Sequence, residues 1–278
     1  MRIYCTLSDK NYLKQGIALI ESLERVTSKD FKIFYLCLDA ETYERVRKYS
    51  VVEAVHLAEV EKSREEILQY KNRKQYNEYC WSLASTFSRY LLEQGLDSVM
   101  YVDSDIYFYQ DPEVIYEELG DKSIGIIRHR HNTSSSPDGE FNVGIIFFKN
   151  DAEGKACLDW WNDCLLHDLR PDLATCGDQK YLEEFPKKWD TAILDKTFAH
   201  GAPWNYRLYV YDNFFNDGTV VWGDKVQPLV FNHFSKFSMN HPTSGHYADH
   251  TLNYQIFGIP AINHMYRHYA KELEHESL

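Results

Sequence analysis

Strand-like and helix-like segments alternate along residues 3–102, and this order restricts the fold more than any other feature of the chain. Residues 3–7, 31–38, 51–57 and 99–102 are short runs rich in Ile, Val, Leu, Phe and Tyr, the composition of buried strands. Between them, residues 13–23 carry Ile17, Leu19, Ile20 and Leu23 near helical spacing, and residues 41–49 form a charged helix. Residues 62–94 are a long, mostly helical stretch that Gly95 stops. Such alternation predicts an α/β architecture in which parallel strands are joined by crossover helices. The fourth strand empties into Asp103-Ser104-Asp105 and continues over residues 106–109 until Asp111-Pro112 turns the chain.

The rest of the chain alternates less regularly. Residues 124–127, 143–148 and 226–231 are expected strands, the last ending at Asn232-His233, and residues 154–166 and 179–185 are expected helices. The polar stretch 129–140, with Ser134-Ser135-Ser136-Pro137, is placed like a lid loop. A charged helix ends the chain. No internal repeat or long linker divides the 278 residues.

Charge narrows the function. Forty-two acidic residues against 30 Lys and Arg give a net charge of -12, which repels phosphate backbones and argues against nucleic acid as a partner. A divalent cation can still bring a single nucleotide to such a surface. The six cysteines contain no CxxC pair and several sit in apolar runs, so reduced thiols and a cytoplasmic setting are expected. The longest apolar run, 143–148, is too short to span a bilayer. That leaves peripheral membrane contact open, although no strongly basic amphipathic helix argues for it.

Asp103 and Asp105 alternate with Ser104 after an apolar strand, so both carboxylates are expected on one side at the carboxyl end of the sheet, where open α/β sheets bind ligands. Two adjacent carboxylates repel one another unless a cation lies between them. His233, at the end of the last apolar strand, is the candidate third ligand. Two carboxylates and one imidazole suit Mn2+ or Mg2+ better than zinc. His241, His246 and His250 are expected on a surface loop, with no metal.

Several motifs in order resemble the retaining nucleotide-sugar glycosyltransferases of family 8, which have the GT-A fold. Thr6-Leu7-Ser8-Asp9-Lys10-Asn11-Tyr12 is similar to the strand and loop that hold the nucleobase, with Asp9 and Asn11 hydrogen-bonding and Tyr12 stacking. Arg89 falls where the family keeps an arginine near the diphosphate. Tyr101-Val102-Asp103-Ser104-Asp105 resembles the metal motif, and Ser104 joins the donor-binding set. Phe141-Asn142-Val143-Gly144 resembles the strand lining the donor-sugar pocket, which assigns Asn142 and Gly144 to the donor. Gly177-Asp178-Gln179 resembles the Asp-Gln pair beside the anomeric carbon, and His233 in Asn232-His233-Phe234-Ser235 falls at the third metal-ligand position. The chain departs from the family at Lys180, where an acid is usual, and at Ser235-Lys236-Phe237, where a glycine and Lys-Pro-Trp are usual; Lys236 is the residue left to reach the diphosphate.

The resemblance implies a single GT-A domain over 1–278. Its parts are a Rossmann-like nucleotide-binding half (1–110), a mixed sugar and acceptor half (111–246) and a C-terminal extension (247–278). It also implies transfer of a hexose from a nucleoside diphosphate sugar, with UDP the expected nucleotide, to a saccharide or other hydroxyl acceptor with retention. Either Asp178 attacks as a nucleophile or the acceptor attacks from the leaving-group side. Two other readings stand beside it. A noncatalytic carbohydrate or sugar-nucleotide binder would use Trp160, Trp161 and the many tyrosines, although aromatics are more often core. A haloacid-dehalogenase-like phosphatase would place Asp-x-Asp near the amino terminus with threonine following, whereas here Ile106-Tyr107 follows mid-chain.

Overall fold

The computed structural model describes residues 1–131, 139–174, 177–237 and 259–275. Eleven strands among these residues build two sheets. β1 (Arg2–Ser8), β2 (Phe31–Cys37), β3 (Val52–His56), β4 (Ser98–Val102), β6 (Ile124–Arg128), β7 (Phe141–Lys149) and β8 (Thr191–Ile193) form a seven-stranded sheet in the order β3-β2-β1-β4-β7-β6-β8. All its pairings are parallel except those of β7 with β4 and β6. β5 (Ile106–Phe108), β9 (Ala199–Gly201), β10 (Thr219–Trp222) and β11 (Lys225–His233) make the second sheet, in which β11 pairs with the other three.

The mostly parallel sheet matches the expectation from alternation, and its layers follow from the apolar pattern. Helices α1 (Leu13–Val26), α2 (Ala40–Val46) and α6 (Glu113–Leu119) cover one face, where Ile17, Ile20 and Leu23 pack with Ile33, Tyr35 and Met100. α5 (Tyr76–Glu93) and α7 (Ala152–Leu166) cover the other, burying Leu83, Phe87, Leu91 and Trp161 against Cys5, Val99 and Ile146. Short polar caps begin α2 and α7: the Asp39 carboxylate accepts from the Thr42 amide at 2.9 Å, and Asp151 accepts from the Gly154 amide at 2.9 Å.

Four expectations need correction. The stretch 62–94 is three helices, α3 (Leu57–Ser63), α4 (Glu65–Arg73) and α5, because Arg64 and Lys74 adopt extended backbone. Residues 106–109 do not prolong β4: β5 leaves the large sheet to pair with β11. Residues 179–185 are a 3-10 turn (Lys180–Glu184) leading into α8 (Phe185–Lys188). Trp160 and Trp161 are not a sugar platform, since Trp161 is fully buried and Trp160 packs on Phe185 and Trp189. β8, β9, β10 and the one-turn α9 (Phe214–Asp217), all of three or four residues, lie below what periodicity resolves. Residues 132–138 of the expected lid, together with His241, His246 and His250, lie outside the described residues.

The terminal helix, α10 (Pro260–His275), is amphipathic and buries Ile262, Met265, Tyr266, Tyr269 and Leu273. Tyr269 stacks on Phe234 with ring centroids 3.9 Å apart, so α10 braces the segment that follows His233. No helix among the described residues is long and apolar enough to cross a membrane.

Contact between α1 and β2 is close enough to test by mutation. A Cβ at Gly16 would fall 1.8 Å from the hydroxyl of fully buried Tyr35, which is fixed by Ser8 at 2.7 Å. Gly16→Ala is therefore expected to cost about 2 kcal/mol through overpacking, seen as a fall in Tm of about 5 °C by calorimetry; an unchanged Tm contradicts this packing.

Candidate functional site

The carboxyl end of β4 and the carboxyl end of β11 meet through one β-ladder. β11 runs antiparallel to β5, and His233 pairs in register with Ile106, the residue after Asp105. A hydrogen bond from the Phe234 amide to the Asp105 carbonyl at 2.9 Å extends the ladder by one step. On the other side, the Asp103 amide donates to the Gly144 carbonyl on β7 at 2.9 Å. Backbone pairing alone thus brings together groups far apart in sequence.

His233 Nε2 lies 3.0 Å from Asp105 Oδ1 and 3.7 Å from Asp103 Oδ2, and one ligand atom from each residue falls within 4.8 Å of the others. The Tyr101 hydroxyl donates to Asp103 Oδ1 at 2.8 Å. Burial raises the Asp103 carboxyl, His233 pulls it back down and Asp105 pushes it up again, leaving it above the ordinary range. For His233, burial lowers the imidazole, but Asp105 and Asp103 more than offset this and the net shift is upward. Two partly buried carboxylates facing one imidazole make a site that a divalent cation would suit, and the oxygen-rich donor set fits Mn2+ or Mg2+.

A cleft of about 630 Å³ opens beside this cluster. Asp9, Asn11, Tyr12, Asp103, Ser104, Asp105, Asn142, Asp178, Gln179, His233 and Lys236 all line it. At one end, Asp9 accepts from the Asn11 amide and from Asn11 Nδ2, both at 2.9 Å. At the other, Asn142 Nδ2 donates to Gln179 Oε1 at 2.8 Å, while Asn142 Oδ1 accepts from the Gly144 amide at 2.8 Å. Asp178 is buried, and burial followed by the charge of Asp103 pushes its carboxyl up to about 8.

Gly144 does not line the cleft but lies behind it. A Cβ there would be 2.9 Å from His233 Nδ1 and 2.5 Å from Asn142 Oδ1, so only glycine lets the imidazole lie on β7. Arg89 is not among the cleft-lining residues. It pairs with Asp159 at 2.8 Å, Glu93 at 3.3 Å and Asp163 at 3.4 Å, because α5 presents Asn77, Cys80, Trp81 and Ala84 to the cleft at helical spacing and turns Arg89 toward α7. The structure thus does not bring Arg89 into the cleft with the other residues expected to bind the donor. Sequence reasoning missed the wall contributed by Tyr76, Trp81, His129 and Trp204. Trp81 was legible only as one apolar position of a helix, and nothing in the chain marks Trp204 as facing a cavity.

The raised Asp178 carboxyl has a sign that can be checked. An unfolded aspartate titrates near 3.9, so from about pH 4 to about pH 8 the folded chain keeps a proton that the unfolded chain releases. Stability is greatest below that window and is lost as pH rises through it. Asp178→Asn removes the dependence. In chelator, the variant is expected to match the wild type near pH 4 and to exceed it increasingly toward pH 9, by about 2–4 kcal/mol or more, read from denaturant midpoints; parallel pH curves overturn the assignment.

A family model described as nucleotide-diphospho-sugar transferase matches residues 31–265. Two uncharacterised proteins of Bacillus subtilis (strain 168) are relatives. YfnF is 32% identical over 252 residues, 84% of this chain and 81% of its own length; YfnD is 28% identical over 249 residues, 85% and 78%. Among solved structures, the galactosyltransferase LgtC in complex with donor and acceptor sugar analogs has a TM-score of 0.58 at 15% identity, covering 97% of this chain and 95% of LgtC. The apo form of mouse xyloside xylosyltransferase 1 has a TM-score of 0.56 at 13% identity, covering 84% and 97%. The likeness to these two is one of fold, the GT-A fold.

Proposed function

Since the chain belongs to the nucleotide-diphospho-sugar transferase family and is a glycosyltransferase, we propose that it moves a hexose from a UDP-sugar to an acceptor hydroxyl with retention, using a divalent cation held by Asp103, Asp105 and His233. One observation carries this reading: the two carboxylates and the imidazole share a cleft with Asp178, Gln179 and the Asp9–Asn11 turn. Buried Cys5, Cys37, Cys157 and Cys164 support a cytoplasmic setting.

Bound at these side chains, Mn2+ or Mg2+ supplies positive charge against which a diphosphate leaves. Asp9 and Asn11 hold the base, with Tyr12, 44% exposed, as its stacking surface. Lys236, exposed on the cleft wall, adds a second positive charge at the phosphates. Asn142 fixes Gln179, whose carbonyl faces the positive charge that develops at the anomeric carbon. Asp178, buried next to Gln179 in the cleft, is placed either to attack as a nucleophile or to face an acceptor that enters on the leaving-group side.

The test is a panel of sugar nucleotides with and without metal. Slow hydrolysis of one or more UDP-sugars is expected with Mn2+ or Mg2+ and not with excess chelator, and UDP is expected to raise Tm only when metal is present. Hydrolysis or stabilisation indifferent to chelator overturns the cation's role.

A further inference from the structure

Four aromatic side chains among the described residues are strongly exposed, Tyr12, Tyr76, Trp81 and Phe215, and the first three line the cleft. Exposed aromatic surface gathered in a cavity marks a place where a ligand buries apolar area. Tyr12 and Tyr76 belong to the Asp9 end, since the Tyr76 hydroxyl donates to Asp9 Oδ2 at 3.2 Å. Trp81 has a different neighbour. Its ring packs against the backbone of Gly177, where a Cβ would come within 3.0 Å of Cε3; Gly177 has φ +67 and precedes Asp178-Gln179. The indole is packed against the glycine that precedes the Asp-Gln pair, yet the residue remains 43% exposed and is part of the cleft wall.

We propose that Trp81 is the platform for the acceptor and that the acceptor is an uncharged pyranose. This rests on the transferase reading above and extends it to the second substrate. A donor is tethered through its diphosphate, whereas an acceptor has no such tether and must gain its affinity from the cleft surface. The C–H face of a sugar laid on a pre-fixed indole buries apolar area at little entropic cost. Charge sets the class. The carboxylates of Asp9, Asp103 and Asp105 line the cleft, and Lys236 is the only Lys or Arg among its described lining residues. With a divalent cation and a nucleoside diphosphate in place, the balance stays negative, so a uronate or sugar phosphate is repelled and a neutral ring is not.

Saturation-transfer NMR tests this on the whole chain with UDP and Mg2+. The probes are the methyl β-glycosides of glucose, galactose, N-acetylglucosamine and glucuronic acid. Saturation of the ring protons of at least one neutral glycoside is expected in the wild type and in Trp81→Phe, with at least a fivefold loss in Trp81→Leu and none for the glucuronide. Undiminished transfer in Trp81→Leu, a preference for the glucuronide, or no transfer to any neutral glycoside overturns the proposal while saturated UDP resonances leave the transferase reading standing. Absence of UDP saturation overturns both. Should Trp81→Leu fold poorly, 5-fluorotryptophan labelling keeps the test decisive: the Trp81 resonance, assigned by its loss in Trp81→Phe, shifts when the neutral glycoside is added, and an unmoved resonance overturns the proposal.

Discussion

Asp105→Ala is expected to lower kcat/KM for transfer by about three orders of magnitude, equivalent to about 4 kcal/mol of lost transition-state stabilisation. Asp105 Oδ1 is the carboxylate oxygen nearest His233 Nε2, at 3.0 Å, so its loss removes one of the proposed ligands and the charge that orients another. The fold is expected to survive. Removing one of two repelling acids relieves Asp103, and the Asp105 carbonyl that accepts from the Phe234 amide is retained. The signature is therefore a near-normal Tm without ligand together with loss of the metal-dependent stabilisation by UDP. A variant that retains both metal dependence and rate removes Asp105 from the account.

Gly144→Ala is expected to be nearly as damaging by a different route. The new methyl would meet Asn142 Oδ1 at 2.5 Å and His233 Nδ1 at 2.9 Å, and either side chain can give way only by leaving its partners, Gln179 and the Gly144 amide for Asn142 and Asp105 for His233. Moving Asn142 releases Gln179, and moving the imidazole opens its approach to Asp103 and Asp105. A displacement of about 1 Å at a positioned group can cost about 100-fold in rate, and the overpacking itself costs about 2 kcal/mol. Steady-state kinetics with a metal titration check it: a lower rate and a raised half-saturating Mn2+ concentration are expected together. A variant that lost stability alone would show that Gly144 serves packing and not the site.

How much of this was legible in the sequence depends on the distance over which each feature is encoded. β1 to β4 and their crossover helices follow from local apolar periodicity and were readable. The second sheet was not, because β5, β9 and β10 are too short to show a period and are defined by their pairing with β11. The site divides in the same way. Asp103 and Asp105 stand out as carboxylates at a strand end, whereas His233 became a candidate through its strand-end position and its motif, and the ladder that brings it to them appears only in three dimensions. Arg89 shows the converse. A residue type at a familiar place in a motif does not fix which way a helix turns it, and the acids of α7 hold this arginine away from the cleft.

The readings as a phosphatase or a noncatalytic binder end with the family match. In the binder reading, Trp160 and Trp161 were to present sugar-stacking faces, but they pack inward, and the aromatic surface open to a ligand is instead that of Tyr12, Tyr76 and Trp81.

Anomalous diffraction at the manganese edge, from crystals grown with Mn2+ and UDP, tests the central claim most directly. The account predicts one strong peak within coordinating distance of the Asp103 and Asp105 carboxylates and of His233 Nε2, with the diphosphate completing the coordination. Bound UDP with no manganese at these three side chains would contradict it.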